Sequence, residues 1–315
     1  MNKTLVVLNP VAGRGRAARA WEEVEKELRT AGVEFDLAET HKSLHAVQLG
    51  WEASDQGYER VVSVGGDGLA HEVLNGLLRA SNEGVTIPLG IIPVGNGNDF
   101  VKMMPPACKI GENHDDWRLA VKRIAAGAVA HVDVGRLMGD KPAPGHIHPD
   151  YFLNGWDVGF GAFVAKDTLW TRKYLHGLPM YFASVMRTLM RYQVPHLRIE
   201  LDQGRVYEQT STMTMIANGR CFGGGFWVAP EARFDDGQFE VMISKGLSRS
   251  AVMGLIPRVM KGTHVTHPAV QMLQSTRVVI DSQEPLVVEA DGEIPFLEAR
   301  HIEAEILPGK LSLII

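Results

Sequence analysis

Residues 61–77, VVSVGGDGLAHEVLNGL, decide the fold that we expect for this chain. The first of them form a short β-branched apolar run that is typical of a buried strand, and an apolar pattern at helical spacing resumes farther on. Between the two lies Gly65-Gly66-Asp67-Gly68. Because glycine has no Cβ and tolerates positive φ, such a turn lets the backbone approach a bulky ligand. The stretch therefore predicts a strand, a glycine-rich turn and a helix, in that order.

Phosphate is the ligand that this turn favours. The helix offers its free N–H groups and the positive end of its dipole to the turn. Asp67 would repel a phosphate unless it faces Mg²⁺ or accepts a proton from an attacking hydroxyl, so the turn indicates phosphoryl transfer rather than anion binding alone. The alternative is an ordinary strand-to-helix turn in which Asp67 caps the helix.

Composition indicates an ordinary globular protein. The 315 residues suggest about two domains, 45% of them are hydrophobic and 22% charged, and the net charge of −5 gives no support for nucleic-acid binding. The cysteines, Cys108 and Cys221, lie far apart without a C-x-x-C spacing, which favours neither a disulfide framework nor a zinc site. No apolar run approaches the roughly 18 to 20 residues that span a bilayer. We therefore expect a cytoplasmic protein with no transmembrane segment.

The first part of the chain reads as an open α/β sheet. Strands are expected at residues 4–8, 35–39 and 87–92 besides the one before Gly65, with helices at 16–30, 43–54 and 115–126. In such a sheet the carboxyl ends of the strands share one edge, so the loops at Asn9, Thr40, Gly65 and Gly95 should converge on a ligand. No G-x-x-x-x-G-K-[ST] occurs, which excludes a P-loop, and Gly13-x-Gly15 matches a dinucleotide fingerprint only weakly.

The pattern changes after residue 127. Short alternating runs with Gly and Pro punctuation predict a mostly antiparallel β-domain. Its expected strands are residues 130–137, 151–154, 197–201, 212–216, 239–244, 277–280 and 286–290. We place an α/β domain at residues 1–131 and a β-rich domain at 132–298, and we expect the tail, about 299–315, to return to the first domain.

Two segments allow more than one interpretation. His146 and His148 could bind a metal, although solvated loop histidines are more common. Residues 166–193 read as one helix with an apolar side. That helix either packs against the domain, or its apolar side, with Trp170, Tyr174 and Tyr181, guards the entrance for an apolar substrate or dips into a membrane surface.

Six motifs in this order resemble the diacylglycerol kinase catalytic-domain family. That family includes bacterial lipid kinases and the sphingosine and ceramide kinases, and it shares its first domain with NAD kinases. The motifs are Asn9-Pro10-x-Ala12-Gly13, Gly65-Gly66-Asp67-Gly68 with His71-Glu72-Val73 and Asn75-Gly76, Pro93-x-Gly95-x-Gly97-Asn98-Asp99-Phe100, Gly223-Gly224-Gly225 with Ala229-Pro230, Asp235-Asp236-Gly237, and Asp291-Gly292-Glu293.

The resemblance implies an NAD kinase-like α/β nucleotide-binding domain followed by a β-sandwich-like domain. It also implies an ATP-dependent, Mg²⁺-requiring kinase that acts on a lipid hydroxyl. The residues it places at the nucleotide are Asn9, Pro10, Val11, Ala12, Gly13, Thr40, Gly65, Gly66, Asp67, Gly68, Leu69, Glu72, Gly95, Asn96, Asn98 and Asp99.

The resemblance assigns the chemistry to three carboxylates. Asp291 or Glu293 would be the general base, and Asp67 would organise Mg²⁺ or share that work. Taken by itself, Asp291-Gly292-Glu293 is more typical of a plain β-turn. A structural Mg²⁺ is implied at Asp235, Asp236 and Gln238.

Three positions depart from the family pattern. Leu69 stands where many bacterial members have threonine, and Asn96 stands where threonine or serine is common, so an amide replaces a hydroxyl. Arg233 falls at or near an upstream ligand position of the structural metal.

We therefore expect a Mg²⁺-dependent lipid kinase that meets its lipid substrate at the inner membrane surface. A homodimer is one option that the sequence leaves open. The alternatives are an NAD kinase-type phosphotransferase, a Rossmann oxidoreductase that uses Gly13-x-Gly15, and a non-catalytic lipid-binding or regulatory protein on the same fold.

Overall fold

The computed structural model of the protein describes residues 3–82, 84–104, 116–175 and 177–315, and at residues 177 and 178 it describes the backbone only. Cys108 and Asp115, which entered the sequence predictions, lie outside these residues. In the described part of the chain, none of the helices is both long and apolar enough to cross a membrane.

The N-terminal part is the predicted α/β unit. Its elements are β1 Thr4–Leu8, α1 Ala12–Thr30, β2 Phe35–Glu39, α2 His45–Asp55, β3 Arg60–Gly65, α3 Asp67–Ala80, β4 Leu89–Pro93, a 3₁₀ turn at Phe100–Met103, and α4 Trp117–Ala126. The strands run parallel in the order β4, β3, β1, β2. All residues of β1 and β4 are buried, as a sheet covered by helices on both faces requires.

The loop after β1 contains three successive residues in the left-handed conformation. Gly13, Arg14 and Gly15 all have positive φ, at 57°, 60° and 78°, so the regular part of α1 begins after them, as the sequence predicts. A Cβ on Gly13 would lie 2.4 Å from the carbonyl oxygen of Val94. Glycine at this position therefore lets the first loop lie directly against the loop that follows β4.

The C-terminal part is the predicted antiparallel β-region. Its elements are β5 Val129–Gly139, β6 Asp150–Phe152, β7 Gly155–Gly159, α5 Phe160–Thr171, α6 Gly177–Arg191, β8 His196–Leu201, β9 Val206–Thr210, β10 Met213–Ala217, β11 Phe239–Ser244, α7 Arg249–Met260, β12 Val270–Ser275, β13 Arg277–Ala290 and β14 Glu293–Ile314. The main path runs β12, β11, β10, β7, β13, β14. Trp156, Phe152 and Phe239 are among the largest fully buried side chains of its core.

Two secondary-structure predictions were wrong. The strands expected at 277–280 and 286–290 are one strand, β13, whose pairing with β14 is irregular between Asp281 and Leu286. The single helix expected at 166–193 is two helices, α5 and α6. Pro179 has no N–H and its ring clashes with a preceding helical turn, so it is tolerated in the first turn of a new helix but not in the middle of a long one.

Strand β14 connects the two parts of the molecule. It pairs antiparallel with β13 and β5, and at its end Leu313 pairs in parallel with Leu89 of β4. Leu311 and Leu313 are fully buried in the core of the α/β unit. The last residues of the chain thus extend the parallel sheet, and the domain boundaries that we placed at 131 and 298 stay a prediction.

Candidate active site

The loops at the carboxyl ends of the parallel strands meet, as predicted. The backbone N–H of Thr40 donates to the carbonyl of Leu8 at 2.9 Å, and that of Asn9 donates to Val64 at 3.2 Å. The N–H of Val94 donates to Gly65 at 2.8 Å. Each loop is therefore held by the strand beside it, and all four open on one edge of the sheet.

The glycine-rich turn has the predicted geometry. Gly65 ends β3, Gly66 has an extended backbone, and Asp67 is the first residue of α3. The interpretation of Asp67 as a helix cap is wrong, because Gly66 takes that position and Asp67 Oδ1 accepts the N–H of Phe100 at 3.3 Å. A Cβ on Gly95 would lie 2.3 Å from Gly66 Cα. The two glycine loops are therefore in direct backbone contact.

Asp67 lies in a negatively charged corner of this edge. A Cβ on Gly97 would lie 2.9 Å from Asp67 Oδ2 and 3.4 Å from Asp99 Oδ2, so the two carboxylates flank that glycine. Burial, and then the charges of Asp99 and Asp291, raise the pKa of Asp67 to about 7. A cation bound here would relieve the repulsion that raises this pKa.

Asp99 joins the α/β unit to the β-rich part. Its Oδ1 accepts Lys102 Nζ at 2.7 Å, and its Oδ2 accepts the N–H of Gly224 at 2.7 Å. A Cβ on Gly224 would lie 3.6 Å from Gly97 Cα, so the loop with three successive glycines lies against the second glycine loop. The cleft therefore has walls from both parts of the molecule.

The other residues expected at the nucleotide fall into two groups. The side chains of Asn98 and Leu69 are directed into the protein, since the Asn98 amide bonds both backbone groups of Gly95 and Leu69 is packed against Gly65 in the core. The accessible group contains Asn96 and Val11, which are exposed, and Asn9, Pro10, Ala12, Gly13, Thr40 and Glu72, which are partly buried. Glu72 Oε2 accepts the N–H of Ala46 at the start of α2.

The Asp-Gly-Glu motif forms the hairpin turn between β13 and β14. Ala290 pairs with Glu293 across a two-residue loop, in which Asp291 and Gly292 have φ of 48° and 93°. Two successive positive φ angles are the signature of a type I′ turn, for which Asp-Gly is a favoured pair. The plain β-turn interpretation of this motif is therefore correct, and the turn also lies at the cleft.

Asp291 is fully engaged by hydrogen bonds. Its Oδ2 accepts the N–H of Leu153 at 2.7 Å, and its Oδ1 accepts those of Asn154 at 2.9 Å and Gly155 at 3.1 Å. His71 Nδ1 lies 3.3 Å from Oδ2. These contacts hold the carboxylate in place and occupy most of its lone pairs.

His71 is a motif residue to which the sequence reasoning gave no role of its own. It lies buried on α3 between Asp291 and Asp150, whose Oδ1 is 3.2 Å from His71 Nε2. Burial opposes a charged imidazole, but Asp150 and Asp291 outweigh it and hold the pKa of His71 well above its ordinary value. The signal was available, because His71 and Asn75 follow Asp67 at intervals of four residues, which places all three on one face of α3.

Glu293 faces the first turn of α3. A Cβ on Gly68 would lie 3.7 Å from Glu293 Oε1. The Glu293 side chain is exposed, and in the part of the chain that the structure describes its carboxylate has no hydrogen-bond partner. The structure therefore brings Asp67, Asp291 and Glu293 to one cleft, although more than two hundred residues separate the two motifs.

Comparison with known proteins assigns the chain to a family. A model described as the diacylglycerol kinase catalytic domain matches residues 3–137, and one described as the YegS C-terminal NAD kinase beta sandwich-like domain matches residues 157–315. A Chromohalobacter salexigens protein named "Probable lipid kinase YegS-like" is 31% identical over 318 aligned positions, which cover 98% of this chain and 92% of that protein. The chain belongs to the diacylglycerol kinase family.

Membership of this family makes the protein a lipid kinase. Further relatives agree with it. A Bacillus subtilis diacylglycerol kinase is 24% identical over 293 residues, or 93% of this chain and 90% of the relative. Two solved structures share the fold. A diacylglycerol kinase from Bacillus anthracis str. Sterne superposes with a TM-score of 0.69 at 21% identity, covering 99% of this chain and 96% of that one. An Archaeoglobus fulgidus NAD kinase in complex with ATP gives 0.52 at 14% identity, covering 100% and 94%.

The turn expected to hold a structural Mg²⁺ in this lipid kinase is arranged differently. Both oxygens of Asp235 contact the guanidinium of Arg233, at 3.1 and 3.3 Å, and Asp236 Oδ1 accepts the N–H of Gln238. Beside them the buried Asp133, which the sequence reasoning missed, accepts the N–H of Gly237 at 2.7 Å. Because the guanidinium of Arg233 already contacts both carboxylate oxygens of Asp235, this donor set fits Mg²⁺ poorly.

No other metal cluster stands out. Over residues 3–82, 84–104, 116–175 and 177–315, no group of three or more His, Cys, Asp and Glu side chains could hold a metal ion. His148, one of the two histidines considered as metal ligands, packs its ring edge-on against Phe296, with the ring centroids 6.0 Å apart.

Proposed function

We propose that the protein transfers the γ-phosphoryl group of ATP to the hydroxyl of diacylglycerol or a similar lipid alcohol, in a Mg²⁺-dependent reaction with Glu293 as general base. One observation carries the proposal. An exposed carboxylate, Glu293, faces the N-terminal turn of α3 at Gly68, next to the strongly perturbed Asp67. A base, an anion-binding helix end and a cation-attracting carboxylate at one cleft are what phosphoryl transfer to an alcohol requires.

The nucleotide phosphates fit the glycine loops. Gly66 and Gly95 touch through their backbones, and Gly97 has no space for a Cβ beside Asp67. The glycines leave this edge without covering side chains, and the positive end of α3 points at it. Asn9, Thr40 and Asn96 lie on the same edge, within reach of the rest of the nucleotide.

Glu293 suits the role of base better than Asp291. The Asp291 carboxylate is committed to three backbone N–H groups and to His71, whereas Glu293 is exposed at the cleft. A lipid hydroxyl is a weak nucleophile, so a carboxylate that accepts its proton during attack contributes roughly 10²- to 10⁴-fold in rate. Asp291 instead fixes the turn that presents Glu293.

Asp67 is the residue that would hold Mg²⁺ near the phosphates. Carboxylate oxygens suit this ion, which commonly binds through one or two carboxylates and the substrate phosphates. When bound, the ion neutralises charge that develops on the transferred group. Asp67 is kept next to the helix end by its bond to the Phe100 N–H.

The lipid is met at a membrane surface through α5 and α6. The segment from Trp170 to Met190 exposes an unusual number of large apolar side chains, and basic residues lie among them. The exposed apolar residues are Trp170, Tyr174, Leu175, Phe182, Met186 and Met190, and the exposed basic ones are Arg172, Lys173 and Arg191. Apolar side chains ringed by cations suit an interface of anionic lipid.

Labelled ATP offered with a panel of lipid alcohols in mixed micelles tests the proposal. We expect a labelled phospholipid product, and we expect Glu293→Gln to lower kcat by roughly 10²- to 10⁴-fold with little change in the KM for ATP. Glu298→Gln, an exposed glutamate on the same strand, is the matched control and should keep the wild-type rate. Near-wild-type turnover by both Glu293→Gln and Asp291→Asn would remove these residues from the mechanism.

The membrane surface is tested by sedimentation with vesicles that contain phosphatidylglycerol. We expect Trp170→Ser to weaken vesicle binding by about tenfold, because a tryptophan at the interface contributes on the order of 1–2 kcal/mol. Trp51→Ser on α2 is the control, since Trp51 is 54% exposed and Trp170 is 47% exposed. Equal binding by the two variants would place the membrane contact elsewhere.

Three other measurements separate the alternatives. NADP formed from ATP and NAD would indicate an NAD kinase-type activity. Binding of NADH that a spectroscopic titration detects would indicate an oxidoreductase. Vesicle binding without turnover on any lipid would indicate a non-catalytic protein.

A further inference from the structure

Two carboxyl groups face each other beneath the Asp-Gly-Glu turn. Asp157 of β7 and Glu289 of β13 are paired residues on adjacent antiparallel strands, and their side chains hydrogen-bond each other. Asp157 is only 1% exposed. Two negative charges directly opposite on a sheet repel, and two carboxyl groups can bond only if one of them is protonated. The pair must therefore share a proton.

Of the two carboxyl groups, Asp157 is the one that carries the negative charge. Its Oδ2 accepts the N–H of Ala162 at 2.8 Å, in the first turn of α5, where the helix dipole favours a negative charge. Gly161 makes this approach possible, because a Cβ there would lie 2.5 Å from Asp157 Oδ2. Burial raises the pKa of Asp157 to about 7, and burial together with the Asp157 charge raises that of Glu289 well above its ordinary value.

Glu289 also contacts the turn itself. Its Oε1 accepts the N–H of Gly292, the residue immediately before Glu293. Asp291, on the other side of Gly292, is fixed by the N–H groups of residues 153–155. The Glu289 contact therefore fixes the second half of the turn. A continuous chain of hydrogen bonds runs from the start of α5 through Asp157 and Glu289 to the residue that precedes Glu293.

We propose that Asp157 and Glu289 are positioning residues for Glu293, and that their single shared proton keeps the Asp-Gly-Glu turn aligned with the start of α5. This inference rests on the proposed function, because it requires Glu293 as the base. It also connects the catalytic turn with α5, whose far end at Trp170 belongs to the proposed membrane surface.

The pair has few titratable neighbours. Tyr181 of α6 and Tyr192 just after α6 face Asp157, and Asp291 faces Glu289. Burial, and then Asp157, raise the pKa of Tyr181 to about 12 and that of Tyr192 further, so both tyrosines stay neutral over the working range. The tyrosines therefore do not account for proton loss from this cluster, which leaves its two carboxyl groups.

Two substitutions of Glu289 separate positioning from packing. Glu289→Ala removes both hydrogen bonds, and we expect kcat to fall by about 10- to 100-fold with little change in the KM for ATP, as displacement of a catalytic group by about 1 Å would give. Glu289→Gln keeps a neutral donor toward Asp157 and an acceptor for Gly292. We expect this variant to restore kcat to within about threefold of wild type. Glu240→Ala, another sheet carboxylate of raised pKa, is the control and should match wild type.

The pH profile supplies the second readout. As pH rises through the pKa of Glu289, the wild-type pair gains a second negative charge, the carboxylates separate and kcat falls. Glutamine cannot lose a proton, so in Glu289→Gln this alkaline limb should move to higher pH. An infrared difference spectrum of wild type minus Glu289→Gln at neutral pH, which needs no turnover, should show the C=O band of a protonated carboxyl.

The outcomes distinguish this inference from the proposed function. Wild-type turnover by Glu293→Gln would show that Glu293 is not the base. Asp157 and Glu289 would then have no catalytic group to position. If Glu293→Gln is inactive while Glu289→Ala keeps the wild-type kcat and pH profile, the positioning role alone is refuted. An activity loss in Glu289→Gln as large as that in Glu289→Ala, or the absence of the protonated-carboxyl band, would overturn the shared proton.

Discussion

Asp67 combines a proposed functional role with a cost in stability. Its pKa is raised to about 7 by burial and by Asp99, so the folded state holds this proton more tightly than the unfolded chain does. Ionisation between about pH 4 and pH 7 therefore destabilises the fold, and the loss is complete above pH 7. A charged residue retained in such a place is typical of a site that binds a cation.

We predict that Asp67→Asn stabilises the ligand-free protein in a pH-dependent way. Asparagine cannot ionise, so the gain in Tm should be near zero at about pH 4 and should reach about 2 °C or more above pH 7. Scanning calorimetry across this range, together with the expected loss of kinase activity, measures it.

Asp140→Asn is the control of opposite sign. Burial opposes ionisation of Asp140, but the N–H groups of Arg300 and His301 outweigh it and lower its pKa. The stability it contributes is present above the ordinary carboxyl pKa and is lost as pH falls, so this variant should be less stable than wild type at neutral pH. A change in Tm for Asp67→Asn that does not vary with pH would contradict the account of Asp67.

At the scale of elements, the two glycine loops act as one unit. The turn after β3 and the loop after β4 touch through Gly66 and Gly95, and Asp67 reaches across to the Phe100 N–H. Neither loop can shift without the other. The edge proposed to bind phosphate is therefore a consequence of two parallel neighbouring strands that are both followed by a glycine-rich loop.

We predict that Gly95→Ala separates these loops. Its Cβ would lie 2.3 Å from Gly66 Cα, a backbone atom that cannot swing away, so we expect about 1–3 kcal/mol of destabilisation and weaker ATP binding. Urea unfolding and ATP titration measure the two effects. The matched control is Gly254→Ala on α7, where a Cβ meets nothing within 4 Å and helix propensity should make the change neutral or slightly stabilising. Equal stability of the two variants would show that the loops are not in backbone contact.

At the scale of the whole molecule, β14 joins the parts that form the cleft. It begins at Glu293, pairs with β13 and β5, and ends beside β4 in the core of the α/β unit. The strand that presents the proposed base therefore also extends the parallel sheet of the α/β unit. The relative position of the two walls is consequently set by continuous backbone rather than by a linker.

We predict that the two parts unfold together. Leu313 is fully buried in the core of the α/β unit, so Leu313→Ala should cost about 2–5 kcal/mol. Because β14 belongs to both parts, calorimetry should show one transition that moves as a whole in this variant. A shift of one transition while a second stays in place would contradict this coupling.

The sequence by itself determined the order of elements around Gly65–Gly68, the parallel sheet, the change to antiparallel strands and the family. These features follow from local patterns, such as β-branched runs, helical spacing and glycine at turns. The break between α5 and α6 was missed although Pro179 marks it in the sequence, and the length of β14 was decided by packing. The sequence could not place Asp157 beside Glu289, since strand register is a long-range property.

Only the tertiary structure decided the division of labour within Asp291-Gly292-Glu293. In sequence both acids of this motif are candidates for the base. The hairpin turn directs Asp291 inward to the N–H groups of residues 153–155 and to His71, and it leaves Glu293 exposed opposite Gly68. The physical reason is that a carboxylate saturated by backbone donors is held as an anchor, whereas its neighbour across the turn keeps its lone pairs free for the role proposed for it.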